Sequence, residues 1–437
     1  MARTTPTATR TDVVIVGAGI VGAAAAHYLA REGKSVALLE KGTVANEQSS
    51  RNWGWVRQNG RNLKELPLGI LSRTLWEGLE GDLGEPLGWA QQGNIDIAST
   101  SDELEYFRRW QLGARAIGLE TEILSEGEVR EMAAGLTGPI AGGIFSAADG
   151  QADPHRVAPA FARSAGRLGA FVHERVAVER VLVADGRVTG VRTDAGDFLA
   201  PAVIIAAGAW STRLLWKLGI KLPQRPIRNT VLATTPAPPL TRTVLWAEGC
   251  AIRQDDTGRF ILSGGGPSDT DVGLDLARFP RQFGGAMLDA RKRGQLKLHA
   301  GRHTAADLRT GVRHTARYEH PWKYVRNDEP VPNLGNAWRT FDTFRALFPS
   351  IDGIGVERVW AGHIDYTPDA VPVLERLSQP EGLVIATGFS GHGFALGPGG
   401  GRVAAQLATG VQPSIDMAAF RLSRFAERRT HSGELHF

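Results

Sequence analysis

The chain has 437 residues, of which 42% are apolar, and its 50 lysines and arginines against 46 aspartates and glutamates leave a net charge of +4. This length and composition predict a globular protein with one large or two intergrown domains. The single cysteine, Cys250, excludes a disulfide framework and a cysteine-ligated metal site built from this chain alone. It also fits a reducing compartment, so we expect a cytoplasmic location and no bound metal.

The first residues are rich in threonine and arginine, and residues 1–11 are predicted to form a flexible tail. The apolar run that follows resembles a signal peptide, because two early arginines precede it and several alanines end it. Its glycine pattern instead favours a nucleotide-binding turn. No apolar run reaches the ~18 residues of a membrane helix, so the sequence predicts no transmembrane segment.

The nucleotide-binding turn follows the tail. Residues 13–16, VVIV, are typical of a parallel strand buried on both faces, and residues 17–22, GAGIVG, then lead into a helix-prone stretch. Gly17 predicts a tight turn, Gly19 lets a pyrophosphate approach the backbone, and Gly22 allows close packing of helix on strand. The pyrophosphate would bind at the helix N-terminus, where free amides and the helix dipole favour an anion.

A second buried strand, residues 35–39, ends in Glu40, which stands 18 residues after Gly22. An acid at this distance hydrogen-bonds the ribose hydroxyls of a bound dinucleotide. Strand, glycines, helix, strand and acid in this order therefore predict a dinucleotide site. The pattern does not separate NAD from FAD, because both cofactors use it.

The remaining sequence favours FAD. A simple NAD dehydrogenase would continue the βα pattern, whereas here the pattern stops for about a hundred residues. It returns at residues 153–176, again at the buried strand 202–207, and last at residues 383–401, where a strand enters GFSGHGFALGPGGG. Backbone amides and a helix N-terminus in that last segment can face a ligand.

Six motifs carry a family resemblance: DVVIVGAGIVG with Glu40, ADPHRVAPAFARSAGRLGA, IIAAGAWS, PIRNTVL, WAGHIDYTPDAVPVLE and GFSGHGFALGPGGG. In this order they resemble the D-amino-acid oxidase superfamily of FAD proteins, which includes glycine and sarcosine oxidases, dimethylglycine dehydrogenases and D-amino-acid dehydrogenases. The resemblance covers nearly the whole chain. It implies an FAD-dependent oxidoreductase.

The resemblance also implies an α/β architecture of two domains. A discontinuous Rossmann-like FAD-binding domain would comprise residues 12–85, 150–228 and 360–437, and an antiparallel-sheet substrate domain residues 86–149 and 229–359. Strand-like segments such as GNIDIAS, and a hairpin predicted in CAIRQDDTGRFILSGG, suit that sheet.

In sarcosine-oxidase relatives, the loop after the second strand wraps the flavin with a Ser-x-x-Gly-x-x-Arg pattern. The segment SSRNWGWVRQ matches this pattern approximately, and Gly54 would let its backbone approach the flavin ring. Amides of Gly397 and Gly399 would meet the pyrimidine ring and the ribityl chain. The FAD-binding residues implied are Gly17, Gly19, Ile20, Val21, Gly22, Glu40, Lys41, Ser49, Ser50, Arg51, Asn52, Gly54, Trp55, Val176, Ala207, Gly208, Trp210, Gly388, Ser390, Gly391, His392, Gly393 and Phe394.

Two residues are predicted to be catalytic. Arg57 would approach the isoalloxazine, where a fixed cation favours the anionic reduced ring, and His392 would lie beside the flavin. The alternative for Arg57 is a surface salt bridge, and the alternative for His392 is a structural role. Trp53 and Trp55 fit a substrate wall and a packed core equally well.

Substrate recognition departs from the family pattern. Amino-acid oxidases of the glycine type place an arginine before Thr-Pro-Asp to clamp a carboxylate, and monomeric sarcosine oxidases carry a lysine where Ala395 stands here. Neither anchor is present, so Arg253 could replace them, or the substrate could carry its charge elsewhere. The predicted substrate-binding residues are Trp53, Gln58, Arg253, His363, Asp365 and Tyr366.

We expect hydride transfer from the carbon next to nitrogen of an amino acid or secondary amine to flavin N5, giving an imine that hydrolyses. FAD is predicted to be non-covalent, because Cys250 lies on a substrate-domain strand and no histidine stands at the usual position near residues 51–53. The electron acceptor would be O2 or another acceptor, which the sequence does not distinguish. One alternative is a dehydrogenase, or a subunit of one, that passes electrons to a quinone or protein, and another is a non-catalytic flavoprotein with a basic interaction face.

That basic face would be residues 275–326, which hold 12 lysines and arginines against 4 acids, a charge of +8. It could dock an anionic partner surface, or it could be an ordinary solvated face. No nucleic-acid motif accompanies the charge, so no nucleic-acid partner is predicted. A homo-oligomer is compatible with the sequence.

Overall fold

The computed structural model describes residues 9–241, 243–264, 268–273, 278–284, 288, 296–300, 304–305 and 325–427. Most of the basic stretch 275–326 lies outside these residues, so its function as a docking face stays a prediction. Among the described helices, none is both long enough and apolar enough to cross a membrane.

The described strands are β1 (Thr9–Arg10), β2 (Val13–Val16), β3 (Val36–Leu39), β4 (Trp55–Val56), β5 (Asn94–Ala98), β6 (Glu122–Leu124), β7 (Gly142–Ser146), β8 (Gly150–Gln151), β9 (Phe171–His173), β10 (Val178–Ala184), β11 (Arg187–Thr193), β12 (Gly196–Leu199), β13 (Ala202–Ile205), β14 (Arg225–Pro236), β15 (Val244–Ala247), β16 (Cys250–Gln254), β17 (Arg259–Gly264), β18 (Ser268–Asp271), β19 (Leu296–His299), β20 (Val356–Tyr366), β21 (Val373–Arg376) and β22 (Leu383–Thr387). The described α-helices are α1 (Ile20–Arg31), α2 (Gln48–Arg51), α3 (Leu66–Leu83), α4 (Ser101–Ala116), α5 (Glu126–Met132), α6 (Pro154–Arg167), α7 (Ser211–Trp216), α8 (Leu334–Leu347) and α9 (Gly393–Thr409).

A six-stranded sheet carries the predicted nucleotide-binding turn. Its order is β21-β22-β13-β2-β3-β9, and all neighbours pair in parallel except β21 with β22. Every residue of β2, β3 and β13 is buried, which explains why these strands are continuous apolar runs without alternation. The arrangement confirms the predicted Rossmann-like fold.

Helices cover one face of this sheet. Helix α1 packs against both α6 and α9, and α3 packs on α9. The contact between α1 and α9 is close because small residues meet there, with Ala24 of α1 facing Gly401 of α9. This packing places the N-termini of α1, α3 and α9 around one end of the parallel strands.

A larger sheet of ten strands forms the second layer. Its order is β19-β18-β14-β17-β16-β15-β5-β7-β6, with β20 also paired to β14. The pairs are antiparallel apart from β15 with β5 and β18 with β19. The predicted strand GNIDIAS is β5, and the predicted hairpin is the antiparallel pair of β16 and β17. Both predictions are confirmed, and α8 packs on this sheet through buried Phe341 and Phe344.

Thr9 and Arg10 differ from the predicted flexible tail. They form β1, which pairs in parallel with β12 at the edge of a small sheet of order β1-β12-β11-β10. The edge of β12 offers backbone groups that these two residues can pair with, an option that the composition of the tail did not reveal. Residues 1–8 lie outside the described part of the chain.

Candidate active site

A cavity opens where the parallel strands end. Val16, Leu39, Ala206 and Thr387, at or just beyond the carboxyl ends of β2, β3, β13 and β22, line it. On the other side it reaches Ile227 and residues of β20 in the larger sheet. Open parallel sheets bind their ligands at this edge.

Most of the predicted site residues meet in this cavity. Those that line it are Gly17, Gly19, Ile20, Val21, Glu40, Lys41, Ser49, Arg51, Asn52, Trp53, Arg57, Val176, Ala207, Gly208, Trp210, His363, Asp365, Tyr366, Ser390, Gly391, His392, Gly393 and Phe394. The predicted residues that are not among its described lining are Gly22, Ser50, Gly54, Trp55, Gln58, Arg253 and Gly388.

One part of the lining, which we call the nucleotide half, contains Gly17, Gly19, Glu40, Lys41 and Trp210. Gly17 has φ +100°, and a Cβ there would lie 2.5 Å from the carbonyl oxygen of Ala206, so only glycine makes this turn without strain. The tight turn brings the N-terminus of α1 to the cavity, as the glycine pattern predicted.

Glu40 is fixed by two backbone amides. Its Oε2 accepts a hydrogen bond from the Ala18 amide at 2.9 Å, and its Oε1 accepts one from the Gly42 amide at 2.8 Å. Burial raises the pKa of Glu40, while these hydrogen bonds act in the opposite direction. The carboxyl group is therefore held rigidly against the glycine turn, where it lines the cavity.

Two further observations fit a dinucleotide in the nucleotide half. Gly19, Ile20 and Val21 place the positive end of the α1 dipole at the cavity wall, where a pyrophosphate is favoured. The buried Nδ2 of Asn46, also in the lining, has no hydrogen-bond partner among the described residues. A buried donor of this kind needs an acceptor, which a bound cofactor can supply.

A segment that begins at the last two residues of the basic stretch 275–326 packs against the nucleotide half. We call residues 325–329 the polar strap. Lys41 Nζ donates to the carbonyl oxygens of Val325 and Arg326, both at 3.0 Å, and Arg326 Nη1 donates back to the Lys41 carbonyl at 3.1 Å. Further along the strap, Asp328 Oδ2 lies 2.6 Å from His363 Nδ1. The strap thus ties two cavity-lining residues together from outside.

The other part of the lining, the substrate half, contains Arg57, Arg61, Trp246, Tyr366 and His392. Arg57 Nη1 lies 3.1 Å from Asp96 Oδ1, and its guanidinium stands 4.8 Å from the ring centre of Trp55 and 5.8 Å from that of Trp246. The Arg57 and Asp96 side chains are only 12% and 7% exposed. This pair is therefore not the surface salt bridge that was the alternative for Arg57.

Arg61 differs from Arg57 in having no carboxyl group of the described residues within ion-pair distance. Within the described part of the chain, its guanidinium forms no hydrogen bond or ion pair, and its Nε is buried. Burial, and secondarily the charge of Arg57, lower the pKa of Arg61 to about 9. The more distant charges of Glu65, Asp96 and Asp149 act in the opposite direction, so at neutral pH the cavity wall presents a cation that no described carboxylate contacts directly.

His392 is held by a buried carboxyl group. Its Nδ1 lies 2.7 Å from Glu65 Oε1, and the Glu65 side chain is 1% exposed. Glu65 directly precedes α3 and His392 directly precedes α9, and these helices are fastened by the Ser72 hydroxyl, which donates to the Ala395 carbonyl at 2.6 Å. Burial and Arg61 lower the pKa of His392, whereas Glu65 raises it.

Arg253 lies behind the cavity wall instead of replacing the missing carboxylate anchors. Its Nε donates to the Trp53 carbonyl, and its Nη1 lies 3.5 Å from Gln151 Oε1. Burial lowers the pKa of Arg253 to about 10. This arginine is occupied in supporting the loop that carries Trp53, so it does not reach the described lining.

The loop around Gly54 also packs differently from the prediction. Gly54 has φ +84°, and a Cβ there would lie 2.4 Å from the Ala152 carbonyl oxygen, so the residue is needed for packing on residue 152 and not for an approach to the ring. Trp55 is buried in β4. The amide of Gln58 donates to Asp149 Oδ1 at 3.0 Å, which directs Gln58 into the core.

Three more glycines have close packing partners and do not belong to the described lining. A Cβ on Gly397 would lie 2.7 Å from the Ile20 side chain, and one on Gly399 would lie 2.9 Å from Ser72. These glycines let α9 approach α1 and α3, and neither belongs to the described lining, contrary to the expectation that their amides meet the flavin. Gly388 likewise lies against the side chain of Thr367.

Asp365 fixes the end of β20 to the end of β22. Its Oδ2 accepts hydrogen bonds from the Gly388 amide at 2.8 Å and from Gln224 Nε2 at 3.2 Å. Burial raises the pKa of Asp365 to about 6. These bonds give the predicted substrate residue a positioning function at the boundary between the two halves of the cavity.

Sequence reasoning missed Arg61, Glu65, Asp96 and Trp246. Asp96 left a signal, because it is an acid inside a strand whose five residues are all buried, and a buried acid needs a cation nearby. Arg61 and Glu65 follow the flavin-loop segment without any motif of their own. Their proximity to His392 arises only from the packing of α3 against α9.

Comparison with known proteins agrees with this geometry. A family profile described as "DAO: FAD dependent oxidoreductase" matches residues 12–407. Glycine oxidase of Geobacillus kaustophilus is 28% identical, with 95% of this chain and 97% of that protein aligned. Sarcosine oxidase subunit beta of Rhodobacter capsulatus is 26% identical, with 96% of this chain and 89% of that subunit aligned.

A solved structure shows the same fold. The L-amino acid deaminase from Proteus myxofaciens, determined in complex with anthranilate, superposes with a TM-score of 0.88 at 24% identity, and the match covers 98% of this chain and 96% of that chain. Together with the family profile, which spans most of the chain, this agreement confirms the resemblance carried by the six motifs. The protein belongs to the DAO family of FAD-dependent oxidoreductases, and its cofactor is FAD.

Proposed function

We propose that this enzyme oxidises the C–N bond of an α-amino acid or an N-methyl amino acid whose carboxylate binds Arg61. The substrate would be oxidised to an imine, which water hydrolyses. The two electrons would pass through the flavin to an acceptor. Bound FAD supplies the chemistry that side chains lack, because its N5 atom accepts a hydride from the carbon next to nitrogen. The protein would bind and orient the substrate and control its protonation.

The observation that carries this proposal is the guanidinium of Arg61, which lines the cavity and forms no hydrogen bond or ion pair with the described residues. A cation removed from water without a partner is costly, and a ligand anion removes that cost. A carboxylate suits arginine especially well, since two parallel hydrogen bonds can form between the planar groups. Arg61 therefore supplies the anchor that the sequence pattern lacks before Thr-Pro-Asp.

The neighbouring Arg57 has a different environment. Asp96 already balances its charge, and the rings of Trp55 and Trp246 hold its guanidinium in place. A fixed, paired cation is suited to a position beside the reduced flavin, where it stabilises negative charge without competing for the substrate carboxylate. The two arginines would thus divide the work between cofactor and substrate.

Four other residues of the substrate half are apolar. Trp53, Trp246, Ile227 and Val231 contribute indole and branched aliphatic surface to the lining. Such a wall favours a substrate with an apolar or aromatic side chain over a charged one. Phenylalanine, leucine and their N-methyl derivatives are therefore the first compounds to test, in both enantiomers.

The test is anaerobic flavin bleaching with matched pairs of an amino acid and its primary amide. An amide keeps the amine and side chain but has no carboxylate, so the acid should reduce the flavin at far lower concentrations than the amide. If none of the compounds bleaches the flavin, the proposed reaction is wrong. If acid and amide act equally well, the assignment of Arg61 is wrong although the reaction stands.

Arg61→Ala tests the anchor directly. A charge-assisted hydrogen bond contributes roughly 1.5–3 kcal/mol, so the half-saturating concentration of the acid should rise about 10- to 100-fold, with little change for the amide. Arg51→Ala is the matched control, since Arg51 also lines the cavity but donates to the carbonyls of Asn46 and Ala361. That control should not discriminate between acid and amide.

Two properties of the cofactor follow from the same preparation. We propose that FAD is non-covalent, because Cys250 is buried in the core of the ten-stranded sheet, away from the described lining. Acid precipitation should therefore leave the yellow flavin in the supernatant. Mixing the reduced enzyme with O2 or with a soluble quinone then identifies the electron acceptor by the faster return of the oxidised flavin spectrum.

A further inference from the structure

We infer that His392, held by Glu65, accepts a proton from the ammonium group of the substrate and so converts it to the neutral amine that can be oxidised. This inference rests on the proposed function. The proton moves from the substrate nitrogen to His392 Nε2. The nitrogen lone pair that is released can then form the C=N bond as the C–H electron pair leaves as hydride.

The geometry supports a base at this position. His392 belongs to the cavity lining, in the same half as Arg61, the proposed carboxylate anchor. In an α-amino acid the ammonium and the carboxylate are attached to one carbon, so a group that binds one end brings the other end close. His392 is a titratable side chain of this half that the binding of carboxylate does not use.

Glu65 sets the tautomer of the ring. Its Oε1 lies 2.7 Å from His392 Nδ1, an ion-pair contact outside hydrogen-bond alignment, and a carboxylate at this distance favours the proton on Nδ1, which leaves Nε2 as the acceptor nitrogen. The same carboxylate stabilises the imidazolium once Nε2 has taken a proton. This is the function of the third member of a catalytic triad, in which an acid orients a histidine and offsets its charge.

The charges around His392 favour a neutral ring before the substrate arrives. Arg57, Arg61 and Glu65 face it from the loop that precedes α3, and Tyr366 lies at the end of β20 near the same groups. Burial and the two arginines lower the pKa of His392, and Glu65 opposes them. When the substrate carboxylate binds Arg61, it offsets one of these positive charges, which makes His392 a stronger base.

Helix termini support Glu65 in this function. Glu65 precedes the first turn of α3, so the positive end of that helix dipole stabilises its negative charge. The side chain has hardly any contact with solvent, and no amide or hydroxyl of the described residues donates a hydrogen bond to it. Its ion-pair contact among the described residues is therefore the one with His392, which couples the two side chains.

The first experiment is the pH dependence of anaerobic flavin reduction in His392→Gln at saturating substrate. General base catalysis typically contributes a factor of about 100 or more, so at pH 7 the limiting rate should fall by about that factor. At pH 10 the substrate amine is already largely neutral, and the deficit should shrink to a few-fold. A deficit that is the same at every pH would overturn the inference.

Saturating substrate is essential in this experiment. Arg61, whose pKa is about 9, loses its charge in the upper part of this pH range, and this change weakens substrate binding without altering the rate of the bound complex. His392→Ala with added imidazole gives a second readout. Imidazole should restore part of the limiting rate of His392→Ala at pH 7. If neither imidazole in His392→Ala nor high pH in His392→Gln restores the rate, the proton-accepting function is contradicted.

Glu65→Gln tests the positioning function while preserving the size of the side chain. Removing the carboxylate removes the group that raises the pKa of His392, so the acid limb of the limiting rate should move to lower pH and the plateau should fall about 10-fold. Histidine NMR of the substrate-free holoenzyme should show the same displacement of the His392 titration. Glu77→Gln, which changes a 62% exposed carboxyl group of α3 outside the described lining, is the matched control and should move neither.

Failure of this inference is distinguishable from failure of the proposed function. If no compound reduces the wild-type flavin, the proposed function is wrong. If the wild type is reduced and His392→Gln, with its full FAD content, is equally fast at pH 7, only the assignment of His392 is wrong. If the acid limb of the limiting rate does not shift in Glu65→Gln, Glu65 only packs against His392 and does not influence its protonation.

Discussion

The two halves of the cavity are built in different ways. In the nucleotide half, backbone groups dominate, because the turn at Gly17, the amides that fix Glu40 and the N-terminus of α1 all lie within one βαβ unit. In the substrate half, side chains from separate elements meet. Arg57 pairs with Asp96 of β5, and Glu65 pairs with His392 at the start of α9.

This difference determines what each half requires of the sequence. A backbone site needs glycine where a Cβ cannot fit, and that requirement appears at fixed spacing along the chain. A side-chain site needs only that complementary groups arrive together, and many pairs of positions can provide them. The nucleotide half should therefore fail abruptly when one backbone position changes, while the substrate half should lose individual functions one at a time.

The largest effect is expected from Gly17→Ala. The added Cβ would lie 2.5 Å from the Ala206 carbonyl oxygen in a backbone of φ +100°. Strain of about 3 kcal/mol corresponds to roughly 100-fold weaker binding, so the purified variant should be nearly colourless. Flavin absorbance per protein and a titration with FAD measure this loss.

Gly33→Ala is the control for Gly17→Ala. Gly33 also has positive φ, +75°, but nothing lies within 4 Å of a Cβ built on it. Gly33→Ala should lower the free energy of unfolding by about 1 kcal/mol and leave the FAD content unchanged. Equal FAD loss in both variants would mean that general strain, and not the close approach to residue 206, explains the result.

The same contrast explains how much the sequence could predict. The buried run VVIV with its glycines and Glu40 fixed the position of the nucleotide half, and alternation and turn residues located the hairpin of β16 and β17. These signals are local. The family resemblance correctly added the cavity-lining C-terminal segment, of which His392 is part.

The sequence could not distinguish Arg253 from Arg61. Both arginines are largely removed from solvent, yet Arg253 is occupied by the carbonyl oxygen of Trp53, whereas Arg61 has no such partner among the described residues. Every residue carries a carbonyl group, so a backbone acceptor leaves no trace in the residue types. Only the three-dimensional structure shows which guanidinium is available to a ligand.

Gly54→Ala should have the next largest effect, and on stability more than on cofactor binding. Its Cβ would meet the Ala152 carbonyl oxygen at 2.4 Å in a backbone of φ +84°, so we expect a loss of about 1–3 kcal/mol in the free energy of unfolding. Thermal unfolding measures this loss. If FAD affinity instead fell about 100-fold with no loss of stability, the original interpretation of an approach to the ring would be correct.

Asp365→Asn tests the boundary between the halves through its pH dependence. Burial raises the pKa of Asp365 from 3.8 to about 6, so the folded protein binds this proton more tightly than the unfolded chain. The stabilisation is complete below pH 3.8 and is lost as pH rises to about 6. Relative to the variant, the wild type should lose up to about 1.4 kcal/mol per pH unit across that window.

Urea unfolding at several pH values measures this difference. Asp149, whose pKa burial also raises to about 6, contributes equally to both proteins and cancels in the comparison. Parallel curves for the wild type and Asp365→Asn between pH 4 and pH 6 would show that this carboxyl group keeps an ordinary pKa in the folded protein.

The smallest effect is expected at the polar strap. Arg326 joins the strap to the Lys41 carbonyl and forms an ion pair with Asp194, while Lys41 donates to two strap carbonyls. Because such partly exposed polar contacts contribute roughly 1 kcal/mol, Arg326→Ala should speed FAD dissociation only about 3- to 10-fold. Added salt should reduce the difference in FAD dissociation rate between wild type and variant, since the ion pair is screened.

Arg187→Ala, which removes a surface ion pair with Glu381, is the control and should release FAD at the wild-type rate. An unchanged dissociation rate in Arg326→Ala would restrict cofactor retention to the backbone contacts of the nucleotide half, and so make the contrast between the two halves sharper still.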